Sequence, residues 1–270
     1  MSMSTIKLDF RDVSKVFDAK DRQVIALQGV DMQIETGEFV TIVGPSGCGK
    51  STLLMIAAGL ETTTEGAVFV DGRPVDGPSP DRGVIFQQYA LFPWLTVRQN
   101  VEFSPRVRRL PDERRRAIVD HYLELVGLID CANSLPKTLS GGMKQRCAIA
   151  RAYAAEPALL LMDEPFGALD ALTRTRMQQQ LLNAWYLEPI TVLFVTHDVE
   201  EAVFLGNRIV VMSARPGSIT RIIPVRLPER RRQEDRLLPE FTAIRNEVWA
   251  AVYESELADK EPVGRVTAEV

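Results

Sequence analysis

The sequence predicts an α/β fold: a mainly parallel sheet, preceded by an antiparallel β region and interrupted by an inserted helical segment. Three observations carry this. Strand signals at Leu159–Met162, Val192–Val195 and Arg208–Met212 alternate with helical patterns, and such alternation builds parallel sheets. Before them, the first stretch reads as successive strands with no helix between. From Tyr89 to Tyr153, prolines and amphipathic runs replace the strand pattern. The 270 residues are 46% hydrophobic and 25% charged, an ordinary globular balance that excludes disordered, collagen-like and coiled-coil chains.

In chain order, Ile6–Phe10 alternates, Val24–Leu27 and Val30–Ile34 follow, and Phe39–Val43 is a fully apolar run that reads as a buried central strand. A glycine-rich break leads to a helix over Thr52–Leu60, ended by Gly59. A polar turn, Glu61–Gly66, precedes a short strand, Ala67–Val70, and a hairpin-like Asp71-Gly72. A Pro/Gly/Ser segment then reaches a strand at Val84–Phe86. Asp112–Leu128 is amphipathic, with Ile118, Tyr122, Leu125 and Val126 on one face, and Ala171–Tyr186 is a second strong helix. The charged run Glu229–Arg236 marks a boundary before a C-terminal helix around Phe241–Tyr253 and a frayed end. The expected division is one domain over 6–228, with its helical segment at about 89–154, and a helical extension over 229–270. No internal repeat is visible.

Thirty-two Lys+Arg against 36 Asp+Glu leave a net charge of −4, so there is no basic field to hold a polyanion, and nucleic acid is not expected as a partner. No apolar stretch approaches the ~18 residues of a membrane span; the best candidate, Ala158–Met162, stops at Asp163 and Glu164. The N-terminus lacks the apolar core of a secretory signal, and the expected location is cytoplasmic. Cys48, Cys131 and Cys147 form no CxxC pair and are read as small buried or loop residues. His121 reads as an exposed helix residue, and the runs Arg114–Arg116 and Arg230–Arg232 as solvated faces in preference to lipid contacts.

Gly44-Pro45-Ser46-Gly47-Cys48-Gly49-Lys50-Ser51 fits G-x-x-x-x-G-K-[ST] in full, between an apolar strand and a helix, which is the setting that pattern needs. Its glycines let successive backbone N–H groups face an anion, and the helix N-terminus adds partial positive charge. Lys50 is expected at the β/γ-phosphates and Ser51 on Mg²⁺. Farther on, Leu159–Met162 delivers Asp163 and Glu164 to a strand's C-terminal edge, where parallel sheets bind ligands. Asp163 is expected to bind Mg²⁺ and Glu164 to polarise the attacking water. The bland alternative, an N-cap acid pair, is weakened by Pro165 and Gly167, which delay the next helix. Ser140-Gly141-Gly142, ahead of another helical run, supplies a second anion-binding helix N-terminus.

In these motifs the chain resembles the ATP-binding subunits of ABC transporters over Ile6 to Leu227. Lys50 and Ser51 match the Walker A motif, Leu139-Ser-Gly-Gly-Met143 the signature, and Asp163-Glu164 the Walker B motif with its catalytic glutamate. Gln87 resembles the Q-loop glutamine, Ala168-Leu169-Asp170 the D-loop, His197 the switch histidine, and Phe17 the aromatic that stacks on adenine. Met143 departs from the family's usual glutamine, and Phe17 from its commoner tyrosine. Phe17 also admits a reading as a core aromatic.

The resemblance implies a RecA-like P-loop NTPase core that binds ATP through Phe17, Gly44 to Thr52, Ser140, Gly141, Gly142 and Asp170. It implies Mg²⁺ on Ser51, Gln87 and Asp163, and catalysis by Glu164, His197 and Gln87. It further implies a homodimer sandwiching two ATP molecules, docked on membrane permease subunits at the cytoplasmic face of the membrane and served by a solute-binding protein. The segments 81–100, 195–205 and 210–217 look like the nitrate/sulfonate/taurine branch of bacterial importers. Leu91, Phe92 and Trp94 suit a permease helix, with helical-segment core as the alternative. Two rivals from other classes are a soluble ATPase of this family acting on nucleic acid or ribosomes, and a small-molecule P-loop kinase. The acidic balance and single nucleotide-binding domain oppose the first; the signature and Glu164 oppose the second.

Overall fold

The computed structural model describes residues 5–19 and 22–260. Met1–Ser4 and the expected frayed end past 260 lie outside the described residues. Two long strands, β1 (Ile6–Ala19) and β2 (Arg22–Glu35), pair antiparallel. The antiparallel sheet has the order β2-β1-β4-β5, completed by β4 (Glu65–Val70) and β5 (Arg73–Pro74). The alternating patterns at Val24–Leu27 and Val30–Ile34 belong to one strand. Register shifts at Phe10/Val13 and Val13/Lys15 of β1 break the strict period of two that marks a strand in sequence.

The second sheet has six strands in the order β10-β9-β3-β8-β7-β6. β3 (Phe39–Val43), β6 (Arg82–Ile85), β7 (Leu159–Asp163), β8 (Thr191–Val195) and β9 (Arg208–Met212) run parallel. β10 (Ile219–Pro224) closes the edge antiparallel and is absent from the sequence reading, because its exposed Arg221 and its proline give it an edge composition. The parallel strands are apolar on both sides because both faces are covered. Val40, Ile42, Leu161, Leu193 and Val195 pack with α1 (Lys50–Ala58) and the antiparallel sheet. Met162, Phe194, Ile209 and Val211 pack into the other core cluster, with the remaining helices.

Between β6 and β7 the chain forms α2 (Val97–Val107), α3 (Asp112–Leu125) and α4 (Gly141–Ala154). Thr96 opens α2 through a reciprocal capping box with Gln99. Then follow α5 (Ala171–Leu187), α6 (Val199–Leu205) and α7 (Pro239–Lys260).

Arg231 is not on a solvated face but buried at 4% exposure, where its Nη1 donates to the carbonyls of Val203, Phe204 and Gly206 at the end of α6. A guanidinium is a fitting cap for carbonyls that a helix C-terminus leaves without partners. Arg115 is likewise occupied, bridging Glu102 and Asp112. His121 is exposed as read, with its Nε2 2.7 Å from Glu188 Oε1. Cys48 and Cys147 are buried and Cys131 half-buried; burial pushes the Cys147 thiol up to about 12, so it is inert.

Candidate active site

β3 ends at Val43, and the glycine-rich loop carries the chain from its C-terminal edge into α1. Gly49, the N-cap, has φ 90°, and a Cβ there would lie 2.7 Å from Ala26 O and 2.6 Å from Leu27 Cδ2. Glycine is therefore required twice, by conformation and by close approach. Lys50 is buried, its Nζ donating to Gly44 O (2.8 Å) and Pro45 O (2.9 Å). Cys48 is buried beneath the loop, and burial raises its thiol against the opposing charge of Lys50. Ser46, Gly47 and Ser51 are exposed, while Pro45 and Thr52 are half-buried.

Ser51 Oγ donates to Asp163 Oδ1 at 2.9 Å, joining the first turn of α1 to the end of β7. Burial, and then the charge of Glu164, raise the Asp163 carboxyl above its ordinary value, opposed by the Ser51 bond. Glu164 has φ 44°, a left-handed conformation that costs a residue with a Cβ about 1–2 kcal/mol. It is held there by Glu164 N donating to Val195 O (2.9 Å) and by Gly167 N donating to Glu164 O (3.1 Å). That turn aims the carboxylate across the strand ends: Oε2 lies 3.1 Å from His197 Nδ1 and accepts from Gln87 Nε2 at 3.4 Å. Gln87, Glu164 and His197 thus converge from the C-terminal ends of β6, β7 and β8.

Ser140 caps α4, its Oγ accepting from Met143 N (3.3 Å), with Gly141 and Gly142 in the first turn. A Cβ on Gly142 would meet Thr173 Cγ2 at 2.7 Å, so α4 begins tightly against the start of α5. Asp170 caps α5 by accepting from Thr173 N (3.0 Å). Among the described residues no hydrogen bond links 140–142 to 44–51. Phe17 is 38% exposed on β1, opposite Val24, which rules out a core aromatic; Lys15 Nζ sits 4.9 Å from its ring centroid.

Sequence reasoning missed the layer that holds His197. Buried Glu201 accepts from Thr196 Oγ1 and from Gln178 Nε2 (2.8 Å), Asp198 N donates to Thr196 Oγ1 (3.0 Å), and Asp198 pairs with Arg174 at 3.5 Å. Glu201 sits at i+4 from His197, which marks it only once the helix start is known. Also missed was the packing of Gly217 on the phosphate loop: a Cβ there would fall 2.0 Å from Cys48 O.

Burial raises the Glu201 carboxyl above its ordinary value, against the bonds from Thr196 and Gln178. A carboxyl with a raised folded value holds its proton more tightly in the native than in the unfolded chain. Native stability therefore declines as pH climbs from the unfolded value, 4.5, through the folded one. Glu201→Gln has no such proton to lose. Between about pH 5 and about pH 8, the wild type is expected to lose more of its urea midpoint than the variant; equal losses would contradict the assignment.

A parallel sheet whose edge joins a phosphate loop, a Ser–Asp pair and a glutamate held by histidine and glutamine defines a P-loop nucleoside triphosphatase. Comparison with known proteins narrows this. The ABC transporter family pattern matches residues 27–167. An ATP-binding protein of Brucella abortus is 65% identical over 86% of the chain and 89% of its own length. The nitrate import ATP-binding protein NrtD of Synechocystis sp. is 47% identical over 95% of the chain and 98% of its own length. The bicarbonate transport ATP-binding protein CmpC of Synechococcus elongatus is 50% identical over 84% of the chain and 35% of its own length. A dimeric ATP-binding cassette in a post-hydrolysis state bound to ADP and Pi superposes with a TM-score of 0.71 at 36% identity, covering 81% of this chain and 99% of its own. The chain belongs to the ABC transporter family, as an ATP-binding, ATP-hydrolysing subunit.

Proposed function

We propose that this chain powers import of a small anion through a separate membrane permease. The observation that carries the reading is Glu164 Oε2, held between His197 Nδ1 at 3.1 Å and Gln87 Nε2 at 3.4 Å beside the phosphate loop. Anion import rests on the relatives, whose names specify nitrate and bicarbonate. No described helix is long and apolar enough to cross a membrane, and in this reading the path for the solute belongs to a separate permease.

In this reading Lys50 leaves the Gly44 and Pro45 carbonyls for the β/γ-phosphates of ATP, while the N–H groups of Gly47 to Ser51 and the start of α1 complete the cradle. Phe17 offers its exposed ring to adenine. Glu164 takes up the proton of the attacking water; His197 and Gln87 fix the carboxylate's orientation and meet the γ-phosphate. Ser51 Oγ, Asp163 and Gln87 form a hard-oxygen donor set that fits Mg²⁺, an ion that prefers one or two carboxylates plus substrate phosphates to an all-protein cage. The ion would supply charge neutralisation on the phosphates.

Ser140, Gly141, Gly142 and Asp170 serve the ATP held by a second copy, a reading supported by the lack of any hydrogen bond from 140–142 to 44–51 among the described residues. The working unit is then a two-fold homodimer at the cytoplasmic face of the membrane, bound to permease subunits and supplied by a solute-binding protein. Tagged chain purified from its native membranes tests the whole reading. Permease should co-purify, and nitrate or bicarbonate with the binding protein should stimulate ATPase; a chain that comes away alone and does not respond to solute would sink it.

The permease contact is the segment 91–107, with a refinement to the sequence expectation. Leu91 is half-buried against the core and supports the fold. Trp94 is 72% exposed, and Phe92 stacks between it (5.8 Å) and exposed Phe103 (4.5 Å). Buried Asn100 shapes the turn, donating to Phe92 O, Leu95 O and Thr96 O. Trp94→Ser with Phe103→Ser is expected to leave melting temperature and basal ATPase unchanged and to abolish co-purification. Each apolar side chain buried on a permease helix contributes ~1.5–3 kcal/mol. Unimpaired assembly, or a collapse in stability, rejects the assignment.

A further inference from the structure

Away from the nucleotide site, a cleft of about 390 Å³ lies between α5 and the segment that leads into the C-terminal extension. Gln179, Asn183 and Tyr186 line one side, and Arg230, Arg231 and Arg232 the other; no carboxylate lines it. Arg230 and Arg232 are exposed and form no ion pair among the described residues, while the nearby Asp235 carboxylate accepts from the Arg232 backbone N–H at 2.7 Å.

Arg231 fixes this segment in place. Its N–H donates to Tyr186 Oη (2.9 Å), its carbonyl accepts from Gln179 Nε2 (3.0 Å), and its Nη1 caps α6. The buried Arg231 Nε has no partner. Arg230 and Arg232 flank this pinned residue as two exposed guanidinium groups at the cleft, whose lining residues include no carboxylate to neutralise them. Arginine forks match phosphate and similar oxyanions bidentately. The volume falls within the range of small-molecule pockets.

We propose that this cleft binds an anion carrying a phosphate or similar oxyanion group, and that its occupancy strengthens the hold of the extension on α6. That helix starts at Val199, two residues past His197, and the extension already grips it through Arg231 at its end and through Arg245 and Arg236 on Glu200 (3.2 and 3.7 Å). The bound anion would thus stabilise the element that supports His197. The inference stands apart from the transport reading.

Inorganic pyrophosphate is the soluble probe. Because the phosphate loop also accepts phosphates, the titration uses full chain carrying Lys50→Ala, with and without Arg230→Ala plus Arg232→Ala. Arg231 stays, since removing it would uncap α6. Pyrophosphate is expected to raise the melting temperature of the Lys50→Ala chain, and the double arginine change to weaken calorimetric affinity by about tenfold or more. A control carrying Arg116→Ala and Arg226→Ala, exposed arginines elsewhere, should keep full affinity. Phosphatidylglycerol vesicles, compared with phosphatidylcholine, identify the source of the phosphate group. Pelleting that depends on Arg230 and Arg232 assigns it to a lipid headgroup, and pyrophosphate binding without pelleting assigns it to a soluble ligand. The proposal is overturned if neither probe binds, if binding survives loss of Arg230 and Arg232, or if the control loses it equally.

Discussion

Glu164→Gln is expected to slow ATP hydrolysis by about 10²–10⁴-fold, the usual contribution of a positioned general base, while ATP affinity stays at the wild-type value. The substitution keeps the side chain's length and its ability to accept from Gln87 Nε2, so the cluster at the strand ends should stay assembled. What it removes is the negative charge that takes up a proton from water and that faces His197 Nδ1 at 3.1 Å. With binding intact and turnover blocked, dimers should accumulate in the presence of ATP. Single-turnover hydrolysis and size-exclusion chromatography in ATP read the two effects. A variant that hydrolyses at the wild-type rate, or one that no longer binds ATP, contradicts the role given to Glu164.

Lys50→Ala is expected to fail one step earlier, at nucleotide affinity. Lys50 is buried among loop carbonyls and is the cation positioned inside the glycine-rich loop. Each charge-assisted hydrogen bond to a phosphate is worth about 1.5–3 kcal/mol, so losing two should weaken ATP by roughly two to four orders of magnitude. The same change strips Gly44 O and Pro45 O of their donor, so the loop itself could loosen. The melting temperature of the nucleotide-free variant separates the two causes. Unchanged stability with lost affinity identifies a phosphate contact; unchanged affinity by calorimetry refutes it.

Most of the candidate nucleotide site is legible in the sequence because local chain geometry builds it. A phosphate loop needs glycines at fixed offsets between a strand and a helix, and Gly44 to Ser51 state that pattern directly. Asp163, Glu164 and His197 stand out as candidates because each lies at or just past the C-terminal end of a buried strand, where ligands bind in parallel sheets. The parallel order itself followed from strand–helix alternation, which the six-stranded sheet bears out.

Other features depended on partners distant in sequence. The continuity of β2 through Gln28 and Gly29 is set by its bulged pairing with β1, which erases the alternation a reader looks for. Arg231 looked like one of three solvated arginines, and only the end of α6, some 25 residues away, turns it into a buried cap. Phe17 and Leu91 are both apolar residues near motifs, yet one is left open on an antiparallel sheet and the other joins the core. The sequence by itself determined the chemistry of the site, because residue type and spacing along one chain define a phosphate loop and its acids. Only the tertiary structure decided which charges are buried, which aromatics are free and what supports His197. Burial is a property of the surfaces that meet, and those surfaces come from segments the chain brings together only on folding.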